Sequence, residues 1–471
     1  MAEPAPSRQT YSFTTSCCWL VILGIVGGIL VRSTLIYRTA SDRALTAVVG
    51  APDVSLEITS RMMIGQTNLL SRVPGGSDPV LIARQRKKMV AALDSAAVTW
   101  ADKLNTVAVI AELSGSDEAI RRLDLLEPKL APNPLLADDV KVLRTIYMRG
   151  TEFVAAPQRQ ALVQRHEWFG QLALVFGLPA ADPKRQAMLE TAVQTTIVLG
   201  IVFLVLLMAV VIGLVLLIVA MVLLKKGRIR LSSWPSAATG PPVYLETFAL
   251  WLGIWVVMSL VMRVLGQQQD ILASEAITAL LSLGVTLWPI SRGVKWSQLR
   301  EDLGWHFGRG VFREISAGVI GYIAGLPILA VGFLVTAVLI RESAIHPTHP
   351  ILRELGSGAN ALSLVGIYIA ACFLAPLVEE TVFRGALYGH LRRRHRPIFC
   401  AIAVSLLFAA IRPQGWPAIP LLGSIAFILA ILREWRGSLL SCMTAHALNN
   451  AAGVTIVVLV LRWPAMLIVA P

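Results

Sequence analysis

Charged residues are scarce. They make up 15% of 471 residues, against 55% hydrophobic, and the mean hydropathy is +0.67. A soluble globular domain carries about 25% charged residues, so the composition excludes a chain that faces water over its whole surface. Cysteine is sparse as well: Cys17, Cys18, Cys372, Cys400 and Cys442. All five lie in or beside apolar segments, without metal-ligand or disulfide spacing. They read as small apolar residues within helices, although Cys17 and Cys18, at a membrane edge, are also open to acylation. Acidic residues are the minority, 29 against 42 Lys and Arg, for a net charge of +13. The basic excess clusters beside apolar runs, where membrane topology accounts for it. Nucleic-acid binding is therefore not expected.

Long apolar runs are abundant. The first, 17–31, reaches 37 only by including Arg32. It reads as a signal anchor, because its N-terminal flank has only Arg8 and no clear small-x-small cleavage site follows closely. Residues 40–190 differ in character. Charges of both signs are interspersed, apolar residues such as Leu123, Leu126 and Leu130 recur at helical spacing, and Pro and Gly clusters break the pattern at RVPGGSDP and LAPNPLL. This is a soluble helical domain without a catalytic motif, and its only histidine is His166. From 193 to 224 the chain is apolar without interruption and ends in KKGRIR. Further candidate spans are 245–265, 273–291, 315–340, 361–383, 397–412, 418–432 and 438–461. The fold class expected is all-α: a polytopic transmembrane bundle of about 8–9 spans with an extracytoplasmic helical domain between the first two.

The loops orient it. One side carries Lys225, Lys226, Arg228 and Arg230, then Arg292, Lys295, Arg300, Arg309 and Arg313, then Arg392, Arg393, Arg394 and Arg396, then Arg433 and Arg436. The alternate loops GQQQDILASE and RESAIHPTHPILRELGSGAN hold only Arg341 and Arg353. The positive-inside rule puts the basic loops in the cytosol and 40–190 outside.

Ionisable residues within apolar spans are costly and point to function. In APLVEETVFRG, Glu380 and Arg384 stand at i and i+4 and can pair, whereas Glu379 lies about 100° round the helix. That leaves one neutralised carboxylate and one available as a general base. The alternative is two structural carboxylates sharing nearby arginines. In HALNN, His446 and Asn450 also stand at i and i+4, placed either to donate to an oxyanion or to join helices. In FAAIR, Phe408 precedes Arg412, which either enters the bundle or snorkels to the interface. His346 and His349 flank a proline on an outward loop, with Glu354 as the one carboxylate that could complete a metal set, and read as surface residues. Glu379 lies 13 residues before Arg392 and His446 lies 8 after Ser438. At about 1.5 Å per residue both sit within the membrane interior.

These pieces in this order resemble the CPBP family of CAAX-processing and bacteriocin-processing intramembrane proteases. The family pattern is EExxxR, then FxxxH, then HxxxN or HxxxD. EETVFR and HALNN match the first and third motifs, REWRGSLLSCMTAHALNN resembles the family's arginine, Gly-Ser and histidine helix, and LREDLGW at 299–305 resembles a segment upstream of the core. The resemblance covers about 245–460 and stops short of the first 190 residues. FAAIR departs from it, with Arg412 where the family has histidine. Arginine is neither a base at ordinary pH nor a metal ligand.

The domains expected are 1–39, an N-terminal segment with the anchor; 40–190; 191–244, a span and basic linker; and 245–471, the CPBP-like domain. The resemblance implies an intramembrane endopeptidase in which Glu379 activates water with help from Arg412. His446 and Asn450 would stabilise the oxyanion, and Glu380 with Arg384 would brace the site. The family is often described as metal-dependent, which the arginine makes doubtful here, so the cofactor stays open. The implied partner is a membrane-embedded or membrane-anchored peptide substrate in the plasma membrane. A catalytically impaired member acting as a membrane scaffold or partner-binding protein is the alternative, favoured by the lost histidine. A pore or transporter would need polar residues spread along a channel rather than clustered on three helices. Arg412 is expected to pair with Glu379 or Glu380, since two buried carboxylates beside Arg384 alone would leave a charge unmatched. The orientation has a direct check. Single cysteines placed at 100 and 230 in a cysteine-free background should be labelled from outside at 100 and protected at 230. The reverse pattern would invert the topology.

Overall fold

The computed structural model describes residues 8–43, 54–72, 79–97, 99–229, 231–232, 242–264, 271–342, 361–412 and 414–468. No strand occurs among them. His346, His349 and Glu354 lie outside the described residues. The helices are α1 (Arg8–Arg43), α2 (Val54–Arg72), α3 (Pro79–Ala96), α4 (Trp100–Ser114), α5 (Ser116–Leu130), α6 (Pro134–Arg149), α7 (Ala156–Leu174), α8 (Pro183–Lys225), α9 (Val243–Val264), α10 (Ile271–Val285), α11 (Trp288–Ser291), α12 (Trp296–Leu303), α13 (Val311–Glu342), α14 (Ala361–Arg392), α15 (Pro397–Ala410), α16 (Ile419–Arg436) and α17 (Leu439–Ile468). Two compact units result, one centred on Ile36–Val205 and the other on Leu206–Pro347 and Asn360–Val454 with Met1–Leu35.

In the first unit α4 is central. Leu104, Val107, Val109, Ile110 and Leu113 are all buried, the all-round burial of a helix inside a bundle. Its start is a capping box: Thr99 Oγ1 accepts from Asp102 N at 3.0 Å, and Thr99 N donates to Asp102 Oδ2 at 3.1 Å. α6 starts on Asn133, whose Oδ1 accepts from Leu136 N at 3.3 Å, with Pro134 next. On α5 the helical repeat proves to be a core stripe, with Leu123 and Leu130 buried and Leu126 packed against the same cluster. His166 is buried: Nδ1 meets Asn105 Oδ1 at 2.6 Å and Nε2 meets Asp139 Oδ2 at 3.1 Å, while Arg165 also pairs with Asp139.

In the second unit, the apolar segments read from the sequence fall on helices, with 273–291 divided between α10 and α11. Across the chain, seven helices among the described residues are long and apolar enough to cross a membrane; α10 and α15 are shorter apolar helices. α13 crosses α16 closely because small residues face it. A Cβ on Gly325 would lie 2.7 Å from Ile428, and one on Gly332 would meet the Pro420 carbonyl at 2.6 Å. Gly318 leaves the same kind of room for α17, at 2.6 Å from the Ser441 carbonyl. Without a hydrophobic drive between helices in lipid, close approach of this kind supplies the packing. An aromatic series crosses the core. Phe248 of α9 meets Phe383 of α14 at 5.3 Å, and Phe383 meets Phe408 of α15 at 5.0 Å. Ile22 and Val26 of α1 belong to that core.

The buried Asp139 gives the first unit a pH dependence. Burial raises its pKa, but the bonds from His166 and Arg165 outweigh this and hold the carboxyl below its usual range. A depressed pKa stabilises the fold above the unfolded value of about 3.9, and that stability is lost as pH falls through the folded value. Thermal unfolding of the purified protein should show an acid limb below about pH 4 that Asp139→Asn flattens. Asp139→Ala should cost about 3 kcal/mol at neutral pH by stranding its buried partners.

Candidate active site

α14 is not a regular helix. It widens to i→i+5 turns over Ala370–Leu374 and again over Thr381–Leu387, with an α-helical stretch, Ala375–Glu380, between them. Such turns are common at functional sites. Their cause is partly legible. Ala375 N–H reaches back to the Ala370 carbonyl. The residue that would next reach Ala371 is Pro376, which has no N–H. Asn450 Nδ2 takes that carbonyl instead, at 2.7 Å. At the second widening, Arg433 Nε donates to the Arg384 carbonyl at 3.3 Å. Both irregular turns are thus held from α16 and α17.

Between them sit the two glutamates. Glu380 and Arg384 have no exposed side-chain surface, and Arg384 Nη1 donates to Glu380 Oε1 at 3.0 Å. Arg384 Nη2 donates to the Ala426 carbonyl of α16 at 2.9 Å. His446 Nδ1 meets the same Glu380 Oε1 at 2.7 Å, and its Nε2 lies 3.7 Å from Glu379 Oε2. Glu379 points elsewhere from Glu380, as helical geometry requires, and pairs with Arg412. Arg412 therefore enters the bundle. Its guanidinium lies 4.3 Å from the Phe408 ring centre, on the aromatic series that ends at His446. Glu379 keeps 16% of its side-chain surface and Arg412 keeps 25%, against none for Glu380. Only the outer carboxylate is open to bulk water or a substrate. Glu380 Oε2 and Arg412 Nε are buried without a protein partner. Such groups call for water or a ligand.

Five of the six candidate residues thus converge through direct contacts. Asn450 joins through the backbone of α14. A resident divalent metal does not fit this donor set. Glu379 already faces a guanidinium, Glu380 Oε1 is taken twice, and no group of three or more His, Cys, Asp or Glu among the described residues can hold an ion.

Residues 361–452 match the family model described as type II CAAX prenyl endopeptidase Rce1-like. The matched segment contains EETVFR, FAAIR and HALNN, and so agrees with the resemblance to the CPBP proteases. No curated protein and no solved structure matches the chain.

The matched segment also uses residues that a reading by loops passes over. Arg433, counted by sequence among the cytosolic loop charges, is buried beside α14. Arg392 pairs with Glu434, Arg393 with Asp302 and Arg436 with Glu314. The acidic partners Glu434 and Glu314, each within or beside an apolar run, were the available signal. The LREDLGW segment serves the same site. Leu299 and Leu303 are buried, and Trp305 Nε1 donates to Thr381 Oγ1 at 3.0 Å, directly after Glu380. At Gly304, with φ of 84°, a Cβ would collide with the Arg433 guanidinium.

The buried pair makes a stability prediction. Glu380→Ala leaves Arg384 charged and unmatched, and should cost about 3–5 kcal/mol in denaturant unfolding of the detergent-solubilised protein. Lys225→Gln, on an exposed helix end, should cost less than about 0.5 kcal/mol. Equal effects would mean that the pair does not brace the bundle.

Proposed function

We propose that the chain is an intramembrane endopeptidase, and the observation that carries this is the asymmetry of the two glutamates. Glu380 is enclosed and neutralised by Arg384, while Glu379 is reachable and lies beside His446. Water between Glu379 and a substrate carbonyl gives its proton to the carboxylate as its oxygen bonds to the carbonyl carbon. The oxyanion takes hydrogen bonds from an Arg412 N–H not used on Glu379 and from His446 Nε2–H, a donor when both ring nitrogens carry hydrogen, since Nδ1–H is spent on Glu380. Asn450 spends one amide hydrogen on Ala371 and has a second for the oxyanion. The tetrahedral species collapses, the C–N bond breaks, and Glu379 returns the proton to the leaving amine. No step passes through a metal.

The substrate is a membrane-embedded or membrane-anchored peptide. The nine apolar helices serve as spans in the plasma membrane, with the 40–190 domain outside and the basic loops in the cytosol. A second reading has a specific observation behind it. The Arg412–Glu379 pair occupies the carboxylate that would take the proton of water, as in a catalytically impaired member that binds partners without cleaving them.

Reconstitution into liposomes with membrane-anchored and transmembrane test peptides separates the two. The protease reading expects cleavage that Glu379→Gln lowers by about 100-fold or more and that chelators leave intact. No cleavage by wild type, or cleavage unchanged in Glu379→Gln, would contradict it. Arg412→His gives a second arm: chelator-sensitive activity appearing only in that variant would support the impaired reading.

A further inference from the structure

From the 292–313 connection we infer a docking surface for anionic phospholipid that does not depend on peptidase activity. The connection carries α12, whose inner face is fixed by buried Leu299 and Leu303. Its outer side shows Trp296, 49% exposed, and the following loop and α13 show Phe307 at 68% and Phe312 at 85%. Trp296 and Trp305 rings meet edge-on at 6.0 Å. Interspersed with these are Lys295, Arg300, Arg309 and Arg313, all exposed. None of the four has an ion pair among the described residues.

The neighbouring acids do not cancel this charge. Asp302 turns inward to Arg393 and Tyr244, and Glu314 to Arg436; Glu301 is the exposed carboxylate. Trp at the foot of a membrane helix sits at headgroup depth, Phe beside it adds apolar surface at the same boundary, and each nearby Lys or Arg adds attraction to an anionic leaflet. The surface is held rigid rather than assembled on binding. Leu439 N donates to the Gly304 carbonyl at 3.0 Å, Ser438 Oγ donates to the His306 carbonyl at 2.6 Å, and Arg433 donates to the Asp302 carbonyl at 3.2 Å. Basic side chains on a fixed apolar ledge match a lipid that offers a phosphate above and acyl chains below. A free anion would satisfy only half of that chemistry.

The test is native mass spectrometry of the full chain from mixed phosphatidylglycerol and phosphatidylcholine nanodiscs. Wild type should retain phosphatidylglycerol preferentially, and Arg300→Gln/Arg309→Gln/Arg313→Gln should reduce that retention about tenfold with the thermal midpoint unchanged. Lys225→Gln/Lys226→Gln, basic and exposed at the C-terminal end of α8 without the aromatics, should retain it like wild type. Excess glycerol phosphate, the headgroup without chains, should not displace it. Equal retention by the triple variant, equal loss in the α8 variant, or displacement by glycerol phosphate would each overturn the proposal.

Discussion

The contact between Glu380, Arg384 and His446 is the constraint from which the site follows. Two full charges with no exposed side-chain surface are stable in a membrane interior only if every partner is in place. Glu380 therefore dictates that α17 present His446 at one position, and Arg384 dictates that α16 present the Ala426 carbonyl. Once those helices are set, Glu379 falls on the neighbouring face. Arg412, just past the end of α15, is the cation that matches it. The irregularity of α14 belongs to the same constraint. Its widened turns leave carbonyls that Asn450 and Arg433 fill, so the helices that supply site residues also hold the backbone that carries the glutamates.

The glycines of α13 and the aromatic series serve this arrangement from opposite sides. Close helix approach at Gly318, Gly325 and Gly332 draws α13 against α16 and α17. Phe383 and Phe408 wall the site toward α9, and both lie near the Arg384 guanidinium. A low-dielectric wall strengthens the electrostatic contacts that it encloses. Trp305, bonded to Thr381, ties the 292–313 connection to the same turn of α14, so a membrane-facing ledge and a buried carboxylate share one hydrogen-bonded frame.

Much of this was legible in the residues. The i, i+4 spacing of Glu380 and Arg384 states their pairing, and the composition states the membrane. Arg412 in an apolar segment, next to two carboxylates and one arginine, implies its partner by charge balance. What could not be read was the backbone. Nothing in EETVFRG announces a widened turn, and Pro376 predicts a missing donor without saying which side chain replaces it. Asn450 accordingly reads as an oxyanion donor, without a sign that one of its amide hydrogens is bonded to the Ala371 carbonyl. Arg433 hides for a related reason: a charge at the end of an apolar run looks like a loop residue until tertiary contacts bury it. In the 40–190 domain the lone His166 gave no sign of its buried contacts with Asn105 and Asp139, because they join three helices.

Glu379 of α14 and Arg412, 33 residues further on and just past the end of α15, form one ion pair. A double-mutant cycle on unfolding free energy measures this directly, with Glu379→Gln, Arg412→Gln and the two combined. Charges in contact couple, so the double variant should depart from the sum of the single variants by about 1–3 kcal/mol. Additivity to within about 0.3 kcal/mol would contradict the pairing and with it the site as described.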